Sequence, residues 1–316
     1  MLPPKGGFSA FGRTGDTDMI AQYLADGIVL GATLALGAIG LTLTYNILRF
    51  ANFAHGEFLT FGAYFALLFV GAFSGGGGTL GPFTFGWSFL GGLVLALLLT
   101  AALALLLDWL LFRPLRKSDV AVALVIASFG ASLMLRNVIV FVWGSQPEYY
   151  TRSIAIAQEV LPGVRLSANE IFVVALTAVL MVALHLFLTR TRLGQQMRAV
   201  SDNPALAQVT GIDVRRIIRW VWIIGGGLAA VGGAMFGLTV QVSPEMGFTL
   251  ILPMFAAAIL GGIGSIYGAV LGGLIIGIAQ SLSVAFIDPG YKPAVAFALM
   301  FLILLVHPTG ILGEKT

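Results

Sequence analysis

Nine apolar runs constrain this chain more than any other feature. They fall near residues 27–48, 50–73, 87–112, 120–143, 169–189, 220–242, 248–266, 268–286 and 293–307. A run of about 20 apolar residues matches the hydrocarbon core of a bilayer. Lipid offers backbone groups no partner, so such runs must be helices except where protein or water lines a break. Hydrophobic residues make up 58% of the chain and charged residues 10%, at a mean hydropathy of +0.98, which leaves too little polar surface for a soluble domain. The expected fold is an all-α polytopic membrane protein of about eight to nine transmembrane helices. Two runs are ambiguous. The 50–73 run opens with "FANFAHGEF", polar enough for a broken or re-entrant start. "LGGIGSIYG" leaves almost no loop between the runs at 248–266 and 268–286, which read as two spans or as a re-entrant hairpin plus a span.

Charge orients the bundle, because basic residues concentrate in cytoplasmic loops. With nine spans, Arg49, Arg113, Arg116, Lys117, Arg190, Arg192, Arg198, Arg215, Arg216, Arg219 and Lys315 fall on one side, eleven against the five of Lys5, Arg13, Arg152, Arg165 and Lys292. The side of 190–219 is therefore cytoplasmic; the N-terminus is external with nine spans and on the opposite side if one of the two ambiguous runs does not cross. The N-terminal stretch lacks the plan of a cleaved signal peptide, so the first apolar segment is expected to be retained. Loop 144–168 lies outside; its Pro162-Gly163 step and the short alternating run at Ser153–Ile156 fit a small hairpin or a plain connector.

Several chemistries are excluded. There is no cysteine, so disulfides and thiolate metal sites are ruled out. His55, His185 and His307 lie far apart, with no HExxH or GxSxG. A phosphate-binding loop needs Gly-Lys-Ser/Thr, and none of Lys5, Lys117, Lys292 or Lys315 follows a glycine; "SGGGGTLG" at 74–81 reads as a flexible external loop. ATP, if it drives this chain, must bind to another. A net charge of +3 is topological and no nucleic-acid footprint.

The glycines carry a packing signal. Gly264, Gly268 and Gly272 recur at spacing four, as do Gly273 and Gly277, and Gly233 and Gly237. Such small-xxx-small faces bring helix backbones into contact, giving a tight bundle suited to a path that opens and closes. "NFAHGEF" places Asn52, His55 and Glu57 in or beside a span, where ionisable groups are costly and often functional. These three are candidates for lining a translocation path; Glu57 pairing with a neighbour is the alternative. Arg136, inside a span, reads as a structural partner for such a carboxylate.

The basic loop "RAVSDNPALAQVTGIDVRRIIRW" (198–220) contains a short helix with its own punctuation. Asp202 or Asn203 can cap it, Pro204 suits its first turn, and Gly211 fits a left-handed stop. Ala205, Leu206, Ala207, Val209 and Ile212 give it an uncharged face. Two readings stay open: a docking knob for a partner, or an interfacial helix anchored on lipid headgroups by Arg215, Arg216 and Arg219.

Four blocks resemble the permease subunits of branched-chain amino acid ABC importers, of the LivH type: "GLTLTYNILRFANFAHGEFLTFGAY" (40–64), "RAVSDNPALAQVTGIDVRRI" (198–217), "SPEMGFTLILPMFAAAILGGIGSIYGAVLGGLIIGIAQSL" (243–282) and "YKPAVAFALMFLILLVHPTGILG" (291–313). The resemblance covers nearly all of the chain from about residue 27. It divides the chain into an unassigned extension (1–26), a permease domain (27–313) whose coupling loop is 190–219, and a short tail (314–316). It implies a multi-pass protein of the bacterial plasma (inner) membrane and a transport subunit with no catalytic residues, metal or cofactor of its own. The implied partners are a second homologous permease, two cytoplasmic ATPase subunits that bind ATP and Mg, a periplasmic or extracellular substrate-binding protein, and membrane lipid. It further implies that Asp202, Asn203, Pro204, Ala205, Leu206, Ala207 and Gly211 belong to the helix that couples to the ATPase. The general importer pattern writes that segment Glu-Ala-Ala, three residues, then Gly. Here it reads Ala205-Leu206-Ala207, then Gln208-Val209-Thr210, then Gly211, so the spacing is kept and the glutamate is absent. Gly211→Pro, or a bulky charge at Ala207, is expected to abolish uptake. The implied cargo is an aliphatic amino acid. Urea, short amides or other small solutes are alternatives within the family, and an ion-coupled secondary transporter using Glu57 is the alternative outside it.

Overall fold

The computed structural model describes residues 13–73, 78–116, 121–151, 153, 155–307 and 309–313, with the side chains of 13–17 and 121 left aside. Parts of the sequence reading lie outside the described residues: residues 1–12 of the 1–26 extension with Lys5, residues 74–77 of the glycine-rich run, Lys117, Arg152, Ile154 and the tail 314–316 with Lys315.

The chain is an all-α membrane bundle. Its helices are α1 (Arg13–Leu48), α2 (His55–Ala72), α3 (Trp87–Leu107), the single turn α4 (Arg113–Leu115), α5 (Ala121–Trp143), α6 (Ala168–Arg190), α7 (Arg192–Asp202), α8 (Pro204–Val209), α9 (Val214–Thr239), α10 (Met246–Gly261), α11 (Ile266–Ser283) and α12 (Lys292–Val306). A π-helical turn, Asp108–Phe112, joins α3 to α4, and Arg116 folds back to pair with Asp108. Among the described residues, eight helices are long and apolar enough to cross a membrane, and Met246–Gly261 is a shorter apolar helix.

Helix α1 has 36 residues, about 54 Å against a core of about 30 Å. It begins well before the apolar run read from the sequence, because "TGDTDMIAQYLAD" continues the helix outward with polar residues. Its overhang braces the loop between α5 and α6: Gln22 donates to the Arg165 carbonyl (3.0 Å) and accepts from the Arg165 amide (2.8 Å). That loop is a hairpin of β1 (Gln158–Leu161) and β2 (Val164–Leu166), turning at Pro162-Gly163. The alternating run at 153–156 lies just ahead of its first strand.

The centre is built on backbone proximity. α11 turns one glycine face, Gly268 and Gly272, onto the backbone of Gly261 and Ala257 in α10. Its other face, Gly273 and Gly277, meets Ala35, Gly31 and Gly27 of α1; a Cβ on Gly273 would lie 2.8 Å from the Ala35 Cα. Gly233 of α9 abuts the backbone of Leu59 in α2. Gly237 meets Tyr150 and Val242, which belong to the outer connections. Gly264 is a correction to the packing-face reading. It lies in the turn between α10 and α11 at φ +104°, where a Cβ would sit 2.6 Å from Asn46 Oδ1. The turn requires a left-handed residue there, and spacing four with Gly268 does not make a helix face of it.

The basic segments at Arg49 and at 190–219 gather at one end, away from Arg165, which sits by Gln22 near the start of α1. Arg49 donates to the Ser201 carbonyl (2.8 Å). Asn46 donates to the Gly264 carbonyl (2.5 Å). The amides of Ile311 and Leu312 donate to Leu260 and Gly261 (2.9 Å each).

Candidate functional site

Two helices, α2 and α10, start partway along the bundle instead of at its ends. After α1 ends at the basic side, residues 49–54 turn back into the bundle. Arg49 makes that turn with a left-handed backbone, φ +57°. α2 then begins at His55, whose Nε2 donates to the Gly37 carbonyl (3.1 Å). Gly37 lies eleven residues before Leu48, about 16 Å up α1 and so near mid-depth. From the opposite side, residues 240–245 descend beside Glu148, which pairs with Val242. α10 then starts at Met246 and runs to the basic end. Its 16 residues span about 24 Å, too little to cross alone.

The two N-termini meet. The Gly247 amide donates to Thr60 Oγ1 (3.0 Å). A Cβ on Gly56 would come 2.5 Å from the Gly247 carbonyl oxygen, and one on Gly247 would strike Gly56 in return. Each glycine is therefore required by the other's backbone. Discontinuous helices meeting N-terminus to N-terminus at mid-depth form the architecture that transporters use around a binding site.

Asn52, His55 and Glu57 are all at 0% exposure. Asn52 Oδ1 accepts from the Ala54 amide (3.1 Å) and shapes the turn into α2. Glu57 accepts from Ser132 of α5 (3.1 Å), so the carboxylate's neighbour is a hydroxyl. Arg136, expected to serve such a carboxylate, pairs instead with Glu245 at the start of α10. Ser128, Ser132 and Arg136 follow at spacing four down one face of α5. Ser128 contacts residues 51–53, Ser132 contacts Glu57, and Arg136 contacts Glu245. Tyr150, outside the spans, is tied down by donating to the Ala63 carbonyl (3.0 Å), and burial pushes its hydroxyl well above the ordinary value.

The second site is at the basic end. α6 stops at Arg190, and Thr191 caps α7 by accepting from the Gly194 amide (3.0 Å). The sequence reading leaves this helix inside a loop. Its Met197 and Val200 are buried while Arg192 and Arg198 face out, and that amphipathic split is the signal that could have found it. Asp202 is its last residue. Asn203 is the cap of α8, accepting from the Leu206 amide (3.0 Å), and Pro204 takes the first position. Gly211, at φ +88°, closes the helix: its amide donates to Gln208 (3.1 Å) and that of Ile212 to Ala207 (3.0 Å), the Schellman arrangement. The expected face is only partly the outer one. Ala207 is 3% exposed and turns into the bundle, whereas Leu206 is 61% and Val209 85% exposed. Ala205 is exposed with them. The knob's outer surface is thus Ala205, Leu206 and Val209, and a charge at Ala207 would disturb the loop's own seat.

Comparisons with known proteins agree with this architecture. A family model described as "Branched-chain amino acid transport system / permease component" matches residues 23–304. The chain is similar to the high-affinity branched-chain amino acid transport system permease protein LivH of Escherichia coli K12, at 36% identity over 93% of this chain and 95% of that protein. It is 34% identical, over the same shares, to the high-affinity branched-chain amino acid transport system permease protein BraD of Pseudomonas aeruginosa. The probable branched-chain amino acid transport permease protein LivH of Methanocaldococcus jannaschii is 31% identical over 92% of each chain. An all-α multi-pass bundle matched by that family model over nearly its whole length belongs to the permease components of branched-chain amino acid transport systems, and is the membrane transport subunit of an ABC importer.

Proposed function

We propose that the chain passes aliphatic, branched-chain amino acids across the bacterial inner membrane. A second related permease completes the path, an external binding protein delivers the cargo, and two cytoplasmic subunits supply ATP and Mg chemistry. The carrying observation is α8: a capped six-residue helix whose exposed face is Ala205, Leu206 and Val209, held at the basic end between α7 and α9. An isolated helix that short does not persist in water. It is braced on its inner side through Ala207 and offers its outer side to a partner. In this reading ATP-driven closure of the ATPase pair moves α8, and α6 and α9 carry the movement as rigid bodies to the α2–α10 crossing. Asn52, His55 and Glu57 form the inner wall of the path, one layer behind its surface, and fix where α2 begins.

The test is uptake of labelled leucine into proteoliposomes holding the complete set of subunits. Uptake should require ATP and survive an ionophore. Leu206→Asp and Val209→Asp should each abolish uptake and co-purification of the ATPase subunits. Uptake by this chain alone that collapses with an ion gradient and disappears in Glu57→Gln would overturn the reading.

A further inference from the structure

We propose that Arg136 and Glu245 form the subsite that takes the two charged ends of a zwitterionic amino acid, with Phe248 beside its side chain. The proposal rests on the importer reading above and names how cargo would be recognised within it.

Depth is the first observation. Ser132 is level with Glu57 in the first turn of α2, and Arg136 lies one turn further out, about 6 Å. α5 continues seven residues beyond it to Trp143, about another 10 Å. Glu245 immediately precedes the N-terminus of α10, where Gly247 touches Gly56 and Thr60. The pair is therefore inside the hydrocarbon span. Yet its side chains are 27% and 66% exposed on the surface of the chain. A carboxylate this open cannot face lipid acyl chains without a penalty of several kcal/mol. The surface that carries it faces water or protein, which places it on the path side of the bundle.

The chemistry of the pair then selects its ligand. With no cargo, guanidinium and carboxylate satisfy each other. A zwitterion brings one carboxylate, which matches the planar fork of Arg136, and one ammonium, which Glu245 can accept from. One ion pair is exchanged for two with no change in net charge. A solute bearing only one of the charges would leave Arg136 or Glu245 without a partner at depth, and an uncharged amide would have no means of parting them. The apolar part of the cargo also has a place. The Phe248 ring lies 5.6 Å from the guanidinium. Toward the basic end, Phe53 contacts Phe129 and Phe255 at 5.9 and 5.1 Å between ring centres. The surface inward of the charges is thus aromatic, suited to an aliphatic side chain.

The experiment compares Arg136→Gln, Glu245→Gln, their double variant and Glu245→Asp in the complete importer. Assembly is checked by co-purification of the ATPase subunits. ATP-driven leucine uptake should fall at least tenfold in the single and double glutamine variants. Glu245→Asp, which keeps the charge, should retain several times the uptake of Glu245→Gln. A merely structural pair predicts otherwise: two glutamines can hydrogen-bond to each other, so recovery of the double variant to within twofold of wild type would overturn the subsite. Equal uptake by the Asp and Gln variants at position 245 would also overturn it. Should the neutral variants not assemble, Glu245→Asp against wild type still decides: drawing the carboxylate back by one methylene keeps the charge but breaks direct contact, so uptake should fall by several fold, and uptake equal to wild type at every leucine concentration would contradict contact with the cargo. Failure of the wild-type complex to take up leucine with ATP would instead remove the importer reading itself.

Discussion

α2 and α10 penetrate the membrane core alike, from opposite sides, and their acidic residues end in opposite environments. Each helix follows a non-helical segment, each begins partway along the bundle, and each brings a glycine, Gly56 or Gly247, against the other's backbone. Glu57 follows its glycine by one residue and is sealed at 0% exposure under Ser132. Glu245 precedes its glycine by two and lies open beside Arg136. Three residues of helix bring a side chain back to nearly the same face, so register alone does not separate the two. Glu57 lies inside the buried first turn of α2, whereas Glu245 is the cap residue ahead of α10 and stands outside the helix. Position relative to the helix start, more than depth, decides which carboxylate braces the crossing and which can meet a solute.

The largest effect should come from the glycines that the two helices share. Gly56→Leu and Gly247→Leu each drive a side chain into backbone and should cost about 3 kcal/mol or more. Neither variant should yield monodisperse permease in detergent. If one is tolerated and the other not, α2 and α10 are less equivalent than their geometry indicates.

Next come the carboxylates. Glu57→Gln should change leucine uptake by less than about threefold, because the amide oxygen still accepts from Ser132. A loss as deep as that of Glu245→Gln would erase the contrast. Ser132→Ala should lower stability by about 1 kcal/mol, read as a lower melting temperature of the purified complex, with uptake little affected. The smallest change, Asn203→Ala at the cap of α8, should cost about 1 kcal/mol locally. It should weaken retention of the ATPase subunits and leave the crossing untouched.

Local rules make part of this legible in the sequence. Lipid forces apolar runs into helices, so the spans can be placed, and "FANFAHGEF" reads as a broken start because polar residues and Gly56 interrupt the run. Asn203, Pro204 and Gly211 mark the limits of α8 because caps act on adjacent residues. The α7 helix escapes a reading by composition because its charged face outweighs the buried Met197 and Val200. Glu245 escapes for another reason. Arg136 is 109 residues away in sequence, and no local pattern says which carboxylate it will meet. One signal is present: "SPEMGF" repeats the acid-and-glycine grammar of "AHGEF" at the start of a second short helix. Gly264 teaches the converse, since spacing four describes a face only where the helix continues through it.

The most direct test uses the absence of native cysteine in the chain. Glu57→Cys and Glu245→Cys are each introduced singly into the assembled importer and exposed from outside to a membrane-impermeant methanethiosulfonate. The thiol of Glu245→Cys should be labelled, and more slowly once leucine-loaded binding protein is present, while that of Glu57→Cys should stay unlabelled. Labelling of Glu57→Cys at a comparable rate, or inertness of Glu245→Cys, would contradict the division between a sealed and an open carboxylate.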